Sequence, residues 1–228
     1  MRNKWWARTL RIVGIVLMSL TAAFTILGGA GTSCVALNPT GWGEKFAPIA
    51  KVQWMYILFF VLVTLAIGVM GVRAVVLLVR GAKNAWRYSV EALLLGVIVG
   101  GSHVAVSRFL RGSSMPVDMV VYITVLTLIV FLLFRIPAIW AGVNYAKPAG
   151  GRKDGKPAAA IALALSGVLA LTIQFIMAPT HTLAGVNWAD AWHLTLTVIG
   201  LGLILAGAGM IFYPRFAVMR RKALVGTK

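Results

Sequence analysis

Three histidines and five acidic residues are the only imidazoles and carboxylates this chain has for proton transfer or metal binding. Two of the histidines, His181 and His193, share the short stretch 178–193 with Asp190. Imidazole and carboxylate together suit zinc, copper or iron. Asp190 and His193 are three apart, so a helix would carry them on one face. His103 could join them if its segment lies beside theirs. The four residues His103, His181, Asp190 and His193 are therefore the candidate ligands of an outward-facing transition-metal or haem site. Each also has a plainer reading, and the plainer readings weigh more. Asp190 can cap the start of the helix that follows. His193 can anchor at a membrane interface beside Trp188 and Trp192, and His181 can simply be solvated. His103 can bond a neighbouring helix carbonyl.

Glu91 is an acid inside the apolar segment that begins at Tyr88. It is the candidate for an ion or proton path, because ionisable groups in spans tend to be functional. Arg87 stands four residues before it and would pair with it on a helix. Cys34 is the only cysteine, so no intramolecular disulfide can form. No catalytic motif is present: H-E-x-x-H, C-x-x-C-H and the Asp-rich calcium loop are all missing. The run Gly150-Gly151-Arg152-Lys153-Asp154-Gly155-Lys156 lacks the P-loop spacing and reads as a flexible basic linker.

The elements that must position these residues follow from composition. Of 228 residues, 60% are hydrophobic and 12% charged, against about 25% charged in soluble domains. Lipid is the solvent that suits such a chain. Spanning segments in lipid must satisfy their own backbone, as helices or as a closed barrel. Barrels show alternating segments of about ten residues. Here the apolar runs are continuous and near 20 residues, the length a helix needs. Spans are predicted at residues 12–31, 54–79, 88–107, 117–134, 158–178 and 193–213. Residues 35–53 read as an external loop, 136–147 as an interfacial segment and 148–157 as a mobile loop. Pro214 opens a basic tail. The first run also resembles a signal sequence, but Gly31-Thr32-Ser33-Cys34 lacks the aliphatic residue of a lipoprotein site, so it is read as retained.

The formal charge of +17 has a positional explanation. Six spans put 18 of the 22 Lys and Arg on the side of the two termini, leaving Lys45, Lys51, Arg108 and Arg111 outside. That is the positive-inside pattern, and nucleic-acid binding is not indicated. Small residues mark packing faces: Gly96 and Gly100 in the third span, Ala162, Ser166 and Ala170 in the fifth, Gly200, Gly202 and Gly207 in the sixth. These three spans are expected to form the core, with the fourth at the periphery.

The expectation is an all-α polytopic integral membrane bundle of six transmembrane helices, a single membrane domain over 1–228 with both termini cytoplasmic, in a prokaryotic inner membrane. Its partners are the lipid bilayer and other membrane subunits met through glycine-rich helix faces. The leading functional reading is a structural or accessory subunit of a larger membrane assembly. A redox or metal/haem protein comes second and a small transporter or channel third.

Overall fold

The structure is a computed structural model that describes residues 5–146, 155–177 and 192–225, together with 182, 183, 185–187 and 190. Helices account for nearly all of them. Helix α1 is Trp5–Leu37. Helix α2, Ala47–Arg80, opens as a 3-10 stretch, turns π-helical over Tyr56–Val63 and ends α-helical from Thr64. Helix α3 is Ala85–Arg111, α4 is Val117–Leu133 and α5 is Pro137–Val143. Helix α6 is Gly155–Met177 and α7 is His193–Val225. A two-residue hairpin, Thr182–Leu183 against Val186–Asn187, stands between α6 and α7.

Five of these helices are long and apolar enough to cross a membrane, and a sixth span is available if α4 and α5 are taken together. The fold is that of an all-α, multi-pass membrane protein. Helices α1, α2, α3 and α7 outrun the predicted spans, because backbone pairing persists beyond the apolar stretch. Gly155 to Pro157, read as loop, form the first turn of α6, where proline is tolerated. Helix α7 runs through Pro214 to Val225, where a tail was expected.

Local chemistry explains where the helices end. Gly81 and Gly112 adopt φ 69° and 68° and turn their N–H groups back onto the last carbonyls of α2 and α3, the left-handed cap that glycine takes without strain. Pro137 has no N–H and cannot continue α4. Ile136 is pushed to an extended conformation (φ −54°, ψ 127°), as the residue before proline is. Helix α5 therefore leaves at 98° to α4.

The packing differs from the sequence expectation. Helix α1 is the centre: α2, α4, α5 and α6 all pack on it. Close approach is made by small residues. A Cβ on Gly71 would lie 2.8 Å from Ala22 Cβ, and one on Gly68 2.6 Å from Ile26 Cγ1. Helix α3 turns its Gly96 and Gly100 onto Thr124 and Val121 of α4, not onto the fifth or sixth span. The fourth span is therefore not peripheral; its Asp118, Thr124, Thr127 and Phe131 are buried. The fifth and sixth spans do meet closely, with Gly167 against the Gly200 carbonyl and Gly207 against that of Ala160. Helix α7 packs mainly on α6.

Two apolar clusters fill the bundle. One, around Leu78, Leu93, Phe131, Phe134 and Tyr145, lies near the end holding the α2–α3 turn. The other, around Ala36, Ile49, Tyr56 and Phe60, lies at the opposite end. Between them Thr21 and Thr127 share a hydrogen bond of 2.8 Å.

Overpacking a tight seam costs about 1–3 kcal/mol. Gly71→Val is expected to lower stability by about that much, read as a lower Tm in detergent. Gly101→Val, where a new Cβ meets nothing within 4 Å, is expected to leave Tm unchanged. Equal losses would show that the α1–α2 seam is not close-packed.

Candidate functional site

His103, Ser107 and Arg111 follow one another at four-residue intervals on α3 and so share a face. Tyr56 and Phe60 are likewise four apart, on the π-helical part of α2. The two faces meet. The His103 ring stacks on Phe60 with centroids 4.4 Å apart and planes 5° from parallel. Tyr56 meets His103 edge-on at 5.3 Å and Phe60 at 5.0 Å. Its hydroxyl bonds Ser107 Oγ at 2.7 Å, with both residues buried. The Arg111 guanidinium sits 4.6 Å over the Phe46 ring, and its Nε is buried without an acceptor among the described residues. π-Helical turns are rare and recur at functional sites; this one, the only one among the described residues, carries the aromatic wall around His103.

His103 is buried, yet neither ring nitrogen is hydrogen-bonded to a described residue. The expected bond to a helix carbonyl is not formed. The ring instead lines a crevice between α1, α2, α3 and α4. Thr25, Thr32, Thr64 and Thr124 line it as well. Thr25, Thr32 and Thr124 each donate to the carbonyl four residues back, at 2.7, 2.8 and 2.6 Å. Their hydrogens are spent within their own helices, which leaves their oxygens with acceptor capacity only, and the wall of the crevice is mostly apolar. The space is about 30 Å³, above the roughly 10–15 Å³ needed to hold a single water. A smaller space of about 10 Å³ adjoins it and reaches Thr21 and Met18, midway along α1. Drug- and cofactor-sized pockets need roughly 300 Å³ or more, so this crevice fits water-sized occupants and not a haem.

The other sequence candidates lie elsewhere. His193 Nδ1 is 2.8 Å from Gln174 Oε1, joining α7 to α6. Asp190 is exposed. His181 lies outside the described residues. The joint site required the third and sixth spans to be neighbours, but α3 packs on α4 and α2 whereas α7 packs on α6. Among the described residues no three His, Cys, Asp or Glu side chains converge. Glu91 forms the local pair with Arg87, 2.7 Å long and exposed. Asp118 accepts from Ser114 at 2.6 Å and pairs with Arg108 at 3.4 Å. Cys34 is exposed.

The sequence reading missed Tyr56, Phe60, Ser107 and the threonines. The four-residue spacings were there to be read. That α2 would turn its pair toward α3 was not.

Comparison with known protein families, with curated proteins and with solved structures gives no match.

The Tyr56–Ser107 bond can be weighed directly. Cycles in membrane helices average about 0.6 kcal/mol and reach about 1.7. A double-mutant cycle with Tyr56→Phe and Ser107→Ala is expected to give a coupling in that range. A coupling of zero, measured by reversible unfolding in detergent, would mean that the pair does not form.

Proposed function

We propose that this chain is a six-span protein of a prokaryotic inner membrane, with both termini cytoplasmic, serving as a structural or accessory subunit of a larger membrane assembly. The charge distribution supports the orientation, since basic residues concentrate in the loops on the terminal side. The observation that carries the role is the outer face of α7. Only 11% of its spanning stretch is buried, against 44% for α1. Gly200 and Gly207 face α6, while Gly202 and Gly209 face open space. Ala206 is also exposed, so a stripe of small residues at i, i+4 and i+7 points away from the bundle. Glycine in a helix costs about 1 kcal/mol relative to alanine and gains nothing from lipid. Small residues on a helix face are what another transmembrane helix needs for close approach. No catalytic constellation among the described residues competes with this reading.

Extraction of the native membrane in mild detergent, followed by native mass measurement, tests the role. The expected result is a complex containing this chain, which Gly202→Leu with Gly209→Leu dissociates without altering the Tm of the chain itself. A monomer in the wild-type extract would contradict it.

A second reading, a small transporter or channel, is favoured by the crevice, with four threonines among its lining residues, that runs from His103 toward Thr21. Its discriminator is flux through reconstituted vesicles. Transport of water-sized solutes that Thr64→Leu blocks would favour this reading over the first. Thr64 lines the crevice, so the larger apolar side chain would fill it.

A further inference from the structure

Arg135 stands in the joint between α4 and α5. Its Cζ lies 4.9 Å from the Trp86 ring centroid and 4.6 Å from that of Trp140. The two indoles meet at 72° with centroids 5.9 Å apart. Trp86 is itself fixed, because its Nε1 donates to the Phe131 carbonyl at 2.9 Å. Two rings thus hold one guanidinium in place by cation–π attraction. Arg135 is exposed, and among the described residues its side chain meets no carboxylate and makes no hydrogen bond. Its five N–H donors are unclaimed.

The surroundings say what could claim them. Arg80, Lys83, Arg87 and Lys156 are exposed at the same end of the bundle. Glu91, the only described acid on that side, is held by Arg87. Helix α5 turns 98° away from α4, so it runs along the membrane plane where α4 reaches the surface. Tryptophans at that level are the interfacial belt, at the depth of the lipid headgroups. A planar fork of donors fits a phosphate oxyanion.

The geometry points to a specific site for an anionic phospholipid, with the headgroup phosphate on the Arg135 guanidinium and Trp86 and Trp140 as its aromatic walls. This goes beyond the accessory role and does not depend on it. The site differs from the diffuse attraction that any basic loop exerts on an anionic leaflet, because the cation is pre-positioned and its donors are free.

The test uses the full chain in detergent, with lipid binding followed by native mass spectrometry as phosphatidylglycerol or phosphatidylcholine is added. Wild type is expected to retain phosphatidylglycerol in preference to phosphatidylcholine. Arg135→Gln is expected to weaken phosphatidylglycerol binding roughly tenfold or more, the loss of a charge-assisted contact. Lys83→Gln removes one charge from the same end and is expected to change it less than about twofold, within the scatter of a surface charge. If the Gln variant aggregates, Arg135→Lys keeps the charge without the fork and is expected to lose part of the preference. Equal weakening by the Arg135 and Lys83 variants would overturn the proposal, as would a wild type with no lipid preference. Displacement of the lipid by millimolar inorganic phosphate would also overturn it, by showing a free-oxyanion site.

Discussion

A peptide group in hydrocarbon has no water to bond with, and leaving it unpaired costs several kcal/mol. That constraint shapes this chain more than any side chain does. It makes each apolar run a helix. It also removes the hydrophobic drive that would assemble the helices in water, so close van der Waals contact must do the work. Contact of that kind needs small residues. They appear at each close seam: Ala22 with Gly71, Gly100 with Val121, Gly167 with Gly200. Helix α1 is central because it offers such seams in more than one direction.

The same constraint governs the polar groups inside. Threonine can enter a span cheaply by donating to its own helix four residues back. Thr25, Thr32 and Thr124 do so around the mostly apolar crevice beside His103. The helix opposite is π-helical where it passes that ring, and its wider turn places Tyr56 and Phe60 around the imidazole. Helix geometry, hydroxyl orientation and histidine burial are thus one arrangement. At the opposite end, Arg135 is held by two indoles and meets no carboxylate among the described residues.

Much of the architecture was legible because it rests on run length and composition. The spans at 12–31 and 88–107 lie inside α1 and α3, and the turn at Pro137 was visible in the residue itself. The Arg87–Glu91 pair followed from spacing. The helix neighbours were not legible. Gly96 and Gly100 mark a packing face but do not say which helix packs there. The fourth span looked peripheral because it has no glycine, although Thr124 and Thr127 were polar cues to a buried face. The π-helical register of Tyr56–Val63 leaves no trace in hydropathy. The grouping of His103 with His193 failed because both were assigned to one membrane side and then assumed adjacent.

The central claim is the arrangement of helices around α1, with α3 and α7 apart. Oxidative cross-linking in native membranes, in a Cys34→Ser background, tests it most directly. Thr21→Cys with Thr127→Cys replaces two hydroxyls 2.8 Å apart and is expected to form a disulfide within one chain. His103→Cys with His193→Cys is expected to form none. A cross-link in the second pair and not in the first would contradict the arrangement.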